Sequence, residues 1–381
     1  MTAASFMGYT GFTVVMPFLP LFIAQLGVTD VGEVAVWTGL SLGVTPGLTA
    51  LLSPLWGRLA DRFGRKIMVE RSLASFVVLM AAMALVTRAW HVLALRAVQG
   101  LFAGYGSLSL TMAAESAPRD RMPQSIGLVQ TAQRLGPAVG PVIGGVMAAM
   151  VGLRRAFLVT AGFYAIALVV VFVMYDERTT HAAPDGSSDR GPVTFRDVLA
   201  FRNFLLLMGV IFAFQFVDRS YGPVLPLYIE GLGVGRVPLV AGVLFSIMAC
   251  TGALGHHFCA RLLQRYSPRV VIAAGSAAAA AGSLALGASG SLWVMAGASV
   301  VLGVGIGAAM TAAYTAAGAV IPAGAHGTGF GVLTSASLSG MAISPIVAGF
   351  VGGASIRVVF AADALLMTAL AIAVARTMAD T

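Results

Sequence analysis

The sequence predicts an all-α integral membrane protein, with twelve transmembrane helices arranged as two pseudo-symmetric six-helix bundles. Three observations carry this prediction. The chain of 381 residues is 58% hydrophobic and only 10% charged. A soluble domain typically carries about 25% charge, so most of this surface must face lipid. Apolar runs of the roughly 20 residues that a membrane-crossing helix needs recur from end to end. The chain also repeats itself. "PFLPLFIAQLGV" (17–28) matches "PVLPLYIEGLGV" (223–234), "RLADRFGRKIMV" (58–69) matches "RLLQRYSPRVVI" (261–272), and "GLVQTAQRLGPAVGPVIGG" (127–145) matches "GVLTSASLSGMAISPIVAG" (331–349), all at offsets of 203 to 206 residues.

The apolar runs lie near residues 5–26, 36–56, 67–88, 90–114, 123–150 and 155–175, then 204–230, 238–260, 269–288, 292–318, 327–351 and 356–376. The first is too long for the apolar region of a signal peptide, and no small-residue cleavage site follows it. Residues 176–203, "DERTTHAAPDGSSDRGPVTFRDVLAFRN", form the one long polar stretch. It reads as a linker whose end, "TFRDVLAFRN", suits a short surface helix. The expected organisation is therefore a bundle over 1–175, a linker over 176–203 and a bundle over 204–381.

Of the 23 Lys and Arg residues, fifteen fall in loops on the side of the N-terminus and five on the other side. Cation-rich short loops stay in the cytoplasm, which places both termini and the linker there. Topology and headgroup contact thus account for the net charge of +8, and no nucleic-acid partner is needed. Arginine-heavy usage points to a GC-rich bacterial source, hence the plasma (inner) membrane of a bacterium.

Between spans two and three, "GRLADRFGRKIMV" (57–69) sets Gly57, Asp61, Arg62, Gly64, Arg65 and Lys66 in one short stretch. Gly57 and Gly64 permit a tight turn with close backbone approach. Asp61 is the single acid among four cations and can accept their hydrogen bonds or face a helix N-terminus. A plain cytoplasmic loop needs cations but neither spaced glycines nor a central acid. The second copy carries Gln264, Ser267 and Pro268 at the places of Asp61, Gly64 and Arg65.

Span four contains "LRAVQGLFAGYG" (95–106), with Arg96, Gln99, Gly100, Ala103 and Gly104 on adjacent turns. An arginine at mid-span costs roughly 2.5–3.5 kcal/mol on insertion scales, which argues for a partner and a role. The plainer alternatives are outward snorkelling or a pair with Glu115. In span five Gly127, Gly136, Gly140, Pro141, Gly144 and Gly145 form a fixed pattern. Glycines four apart make a face where helices approach closely, and Pro141 frees a carbonyl and bends the axis. Span eleven carries Gly331, Gly340, Ser344, Pro345, Ala348 and Gly349 in the same places.

Span seven holds "FQFVDRSYGPVLP" (214–226), with Asp218 and Arg219 well inside it and Gln215 one turn earlier. Low dielectric disfavours an ionised carboxylate, so Asp218 is the leading candidate to bind and release a proton. The alternative is a structural ion pair with Arg219 or Arg134. Arg134 in span five and Asp363 in span twelve are the other intramembrane ions, and Asp363 reads as shallow, near the outer surface. His256 and His257, at the cytoplasmic end of span eight, read as interfacial, and Cys250 and Cys259 as apolar packing. "GVGIGAAM" (303–310) looks like a glycine-rich cofactor loop, but no strand precedes it, so close helix packing is the better reading. No nucleophile constellation, phosphate loop or metal-ligand spacing is present, so neither an enzyme nor a bound cofactor or metal is expected.

The 57–66 stretch resembles the loop signature of the major facilitator superfamily, G-x-L-a-D-r-x-G-r-k. The span-five pattern resembles that superfamily's proton-driven antiporter signature, seen chiefly in drug exporters, and "RAVQG" is similar to its R-x-x-q-G motif. The resemblance covers essentially the whole chain. It implies that Asp61 acts in a conformational latch against the start of span eleven, near Gly327 to Phe330. It implies a part for Arg96 in proton coupling and a cavity lined by spans one, four, seven and ten. Many exporters of this type carry an acid in span one, whereas this chain has none between Met1 and Gln25.

The expectation is a monomeric secondary transporter in the lipid bilayer. It exports small, partly apolar compounds in exchange for protons, with Asp218 and Arg96 coupling the proton and Gln215, Arg219, Arg134, Gln99 and Asp363 lining the substrate cavity. The alternatives are a transporter of one metabolite and a non-transporting receptor on the same fold.

Overall fold

In the computed structural model, residues 1–115, 122–175, 203–321 and 326–378 are described. Among them fourteen helices follow one another and no strand occurs. The first half holds α1 (Thr2–Val14), α2 (Leu19–Gln25), α3 (Val31–Phe63), α4 (Arg65–Met83), α5 (Ala89–Phe102), α6 (Tyr105–Glu115), α7 (Met122–Val151) and α8 (Leu153–Met174). The second holds α9 (Phe204–Gly231), α10 (Val237–Leu263), α11 (Pro268–Ala288), α12 (Leu292–Val320), α13 (His326–Ala354) and α14 (Ile356–Thr377). Nine of these are long and apolar enough to cross a membrane, and α1 with α2, bent by 47°, makes a tenth. In the expected twelve-span plan the places of spans three and four are taken by α4, whose first turns carry Arg65, Lys66, Glu70 and Arg71, and by the broken pair α5–α6.

Three details differ from the sequence expectation. Spans one and four are each two helices rather than one. Span four breaks at Ala103 and Gly104, where Gly104 takes φ +138°. The helix of span two does not stop near residue 56, although its apolar span ends at Ser53. Asp30 caps the start of α3 by accepting from the Glu33 amide at 2.8 Å, and the helix runs 33 residues to Phe63. At 1.5 Å per residue this exceeds a hydrocarbon core of about 30 Å. Gly57 therefore lies inside a helix and not at a turn, because residues 58–63 are ordinary helix formers. The chain reverses at Gly64 alone, with φ 95° and ψ 142°, a conformation that penalises any Cβ. In the second copy the same break falls at Ser267, with Pro268 opening α11, where its missing amide costs nothing. The segment "TFRDVLAFRN" and the rest of the expected linker, up to residue 202, lie outside the described residues.

The described residues form two compact units, one from Met1–His181 with Gly222–Ser246 and the other from Ala182–Tyr221 with Ile247–Thr381. In the first, α1 packs along α7, α3 against α5 and α4 against α8. Edge-on rings knit the core, with Phe22 and Phe157 4.7 Å apart and Phe76 and Tyr164 5.2 Å apart. In the second, α11 lies between α12 and α14, and the contacts are built on small residues. A Cβ on Gly305 would stand 2.9 Å from the Gly275 carbonyl, and one on Gly255 would stand 2.9 Å from the Ala308 amide. "GVGIGAAM" is thus a helix-packing surface in the middle of α12.

Candidate functional site

The α7 signature is a contact surface in the first unit. A Cβ at Gly136 would come within 2.7 Å of the Thr10 amide nitrogen, one at Gly140 within 2.8 Å of the Thr10 carbonyl, and one at Gly144 within 2.7 Å of the Val14 carbonyl carbon. The three glycines let the α7 backbone lie directly on α1. Gly145 turns to another neighbour, the start of α10, where a Cβ would stand 2.9 Å from Leu239 Cα. Just before it, the Val142 amide donates to Ser246 Oγ at 3.2 Å, next to the close approach of Gly242 to the Pro141 carbonyl. Gly127 faces open space. The second unit repeats the arrangement: Gly331 is open, Gly340 lies 2.7 Å from the Phe212 carbonyl by the same measure, and Ser344 Oγ donates to the Phe216 carbonyl.

Arg96 is buried on α5, 3% exposed. Its Nη1 donates to Gln99 Oε1 at 3.0 Å, while its own carbonyl accepts from Thr45 Oγ1 of α3 at 2.8 Å. Gly100 lets α5 sit on the Thr45 backbone. Arg96 Nε and Nη2 and Gln99 Nε2 find no acceptor among the described residues. The guanidinium does not snorkel, and the side chain of Glu115, the alternative partner, lies outside the described residues.

Around the α3–α4 junction, Lys66 pairs with Glu70 at 3.8 Å and donates to the Phe172 carbonyl at 3.1 Å. Arg62 lies over the Phe63 ring. Arg71, which the motif reading passed over, covers the Trp56 ring at 3.6 Å and donates to the Phe102 carbonyl at 3.1 Å. The side chain of Asp61, and those of Gly327 and Thr328 opposite it in the expected latch, lie outside the described residues.

In the second unit Asp218 and Arg219 pair with each other, Nε to Oδ2 at 3.2 Å, with side chains 37% and 22% exposed. Gln215 is half-buried against α13, beside Gly340. Arg134 is exposed on α7 in the first unit. Asp363 is the enclosed carboxylate: it is 2% exposed, and its Oδ2 lies 2.5 Å from Ser220 Oγ of α9. One residue on, the Tyr221 hydroxyl meets Ser283 Oγ of α11 at 2.7 Å, and its ring stacks on Phe360 of α14. Sequence reading overlooked Ser220, Tyr221 and Ser283, because a hydroxyl in an apolar helix carries no signal until its neighbour across the interface is known.

Ionisable groups buried inside apolar helices, in two halves related by an internal repeat, define the class of secondary transporters. The chain belongs to the Major Facilitator Superfamily, whose sequence profile matches residues 1–287 and 238–380. It is 30% identical over 272 residues to a multi-drug resistance efflux pump PmrA homolog of Lactococcus lactis subsp. lactis (strain IL1403), and 31% identical over 279 residues to the multidrug resistance protein MdtG of Serratia proteamaculans (strain 568). Each match takes in 70% of this chain, which spans about two thirds of the length of these relatives, 66% and 65%. Its fold is similar to that of a bacterial homolog of the human lysosomal transporter Spinster, solved in an inward-facing and occupied conformation, with a TM-score of 0.79 at 18% identity over 99% of this chain and 96% of that one. The human organic anion transporter MFSD10 (TETRAN) gives a TM-score of 0.67 at 19% identity over 98% and 97%. The protein is thus a multi-pass membrane protein of a transporter family.

Proposed function

We propose that this chain exports small, partly apolar compounds across the inner membrane of a bacterium in exchange for protons, by alternating access of residues 1–175 and 204–381. The observation that carries this reading is the α7 face of Gly136, Gly140 and Gly144 seated on the α1 backbone, the surface that the antiporter-type signature implies. The names of the PmrA and MdtG relatives support a multidrug cargo. The reading places both termini in the cytoplasm, on the strength of the fifteen-to-five cation bias, and has the protein act as a monomer in transport rather than enzymatic chemistry. Arg96, charged and only partly bonded, couples proton to cargo in the first half, and Asp61 latches the loop. Asp218, expected from the sequence to couple the proton, is paired with Arg219, and in this reading that pair and Gln215 meet cargo.

The test is transport by the purified chain in proteoliposomes with an acidic lumen. Ethidium, permanently charged and so not trapped by acid alone, should accumulate on the acidic side, opposite to the proton flow. Growth of cells with and without the gene on a panel of dyes and antibiotics separates multidrug export from carriage of one metabolite, for which only a single compound would respond.

A further inference from the structure

The hydrogen-bond pattern around Asp363 singles it out. Ser220 Oγ lies within bonding distance of two oxygens, Asp363 Oδ2 at 2.5 Å and the Val217 carbonyl at 2.9 Å. A serine hydroxyl has one proton, and a carbonyl only accepts. The two contacts are met in full when Ser220 donates to Val217 and a protonated Asp363 donates to Ser220; with an ionised carboxylate the one Ser220 proton must be shared between the two oxygens or leave Val217. The adjacent pair follows the same logic: Ser283 Oγ donates to the Ala279 carbonyl at 2.8 Å, so Tyr221 donates to Ser283.

An ionised Asp363, 2% exposed, would hold one donor and no cation among the described residues, and such a buried charge is costly. The described groups that face it supply no cation. From α9 come Ser220, Tyr221 and, one turn earlier, Asp218 already paired with Arg219. From α11 comes Ser283, while Arg269 sits at the far end of that helix, bonded to the Ala375 carbonyl. α13 carries no ionisable side chain after His326, and α14 itself has only Arg357 and Arg376 near its ends. Asp218 is the opposite case: its side chain is 37% exposed and lies 3.2 Å from the Arg219 guanidinium.

We propose that Asp363 on α14, bonded to Ser220 of α9, holds the exchangeable proton of this transporter. The inference rests on the proton-exchange reading above and names the residue that serves it. Loss of the proton breaks the Asp363 O–H bond and passes H⁺ to water. The carboxylate left behind draws the Ser220 hydroxyl from Val217 and needs more water than the α9–α14 contact admits. The charged site therefore favours a conformation in which these helices part, and the neutral site favours the closed contact, so the proton and the conformation are linked.

The experiment uses the full chain in proteoliposomes, with ethidium as cargo and an acidic lumen. Asp363→Asn should cut gradient-driven accumulation by about tenfold or more, a clearly larger loss than in ethidium–ethidium exchange without a gradient, and Asp363→Glu should restore part of the coupling. Asp218→Asn should weaken transport, yet what remains should still follow the gradient. Infrared spectra at neutral pH should show a protonated carboxyl band that vanishes in Asp363→Asn and moves in Ser220→Ala. Gradient-driven transport at full rate by Asp363→Asn, or persistence of the band in it, overturns the assignment. Should Asp363→Asn fail to fold, Ser220→Ala decides: an unmoved band and an unmoved pH profile of transport overturn it as well. If the unaltered protein ignores the gradient, proton exchange itself is wrong, and the infrared band still reports separately whether Asp363 holds a proton.

Discussion

Arg96 and the α7 glycines show how much a single position can decide. The Arg96 guanidinium is buried with one of its nitrogens bonded to Gln99 and two unsatisfied among the described residues. A half-satisfied buried charge costs stability that an apolar residue of similar shape would not. Arg96→Met should therefore raise the melting temperature in detergent by a few degrees and at the same time cut coupled transport roughly tenfold or more, about 1.4 kcal/mol of barrier; a variant that is both less stable and fully coupled would refute this. Gly144 and Gly127 carry the same label in the sequence and differ in space. Gly144→Val forces a side chain into the α1 backbone at Val14, and overpacking of this kind costs about 1–3 kcal/mol or more. Gly127 has open space around it, so Gly127→Ala should leave the protein as stable or more stable by up to about 1 kcal/mol, the helix-propensity difference. Thermal unfolding of the two variants side by side checks the contrast.

At the scale of elements, two breaks organise the first unit. The α3–α4 reversal rests on Gly64 at φ 95°. Gly64→Ala should lower stability by about 1–3 kcal/mol, the usual strain of a side chain held in such a region, whereas Gly57→Ala, inside α3, should be neutral or better. The α5–α6 break leaves the Phe102 carbonyl without a helical partner, and α4 answers it: Ser72 Oγ donates to that oxygen at 2.8 Å and Arg71 Nη2 at 3.1 Å. Arg71 also covers Trp56 of α3, so one side chain fastens three helices. Arg71→Ala should cost about 1–3 kcal/mol, read as a lowered melting temperature, and Arg71→Lys should recover little of it, because an ammonium cannot stack and donate as a planar guanidinium does. The loop motif was legible in the sequence as a cluster of cations and glycines. That Gly57 is helical and that Arg71 holds the junction was not, since neither follows from spacing along the chain.

For the whole molecule, the internal repeat extends to contacts. Gly136 of α7, seated on α1, and Gly340 of α13, seated on α9, hold matching places, and Gly127 and Gly331 are open alike. The charges do not repeat. Arg96 lies in the first unit, and the two intramembrane acids, Asp218 and Asp363, lie in the second. This asymmetry suits a machine in which one half presents a fixed cation and the other a group that changes charge. For one-for-one exchange of ethidium against protons, an imposed difference of one pH unit is worth about 1.4 kcal/mol and should sustain roughly a tenfold ethidium gradient toward the acidic side. Collapse of the pH difference with an ionophore should abolish it, and accumulation indifferent to that collapse would exclude proton exchange.

The sequence by itself determined the membrane class, the number of spans, the twofold repeat and the family motifs, because each depends on composition, period or local spacing that any reader of the chain can count. It also marked the intramembrane ions, since a charge within an apolar run stands out. Only the tertiary structure decided which of those ions is enclosed. Asp218 found a cation one residue away, and Asp363 found a serine 143 positions earlier in the chain. The state of a carboxylate is set by whichever side chains the fold brings across the helix interface, and that pairing is written in no local stretch of sequence.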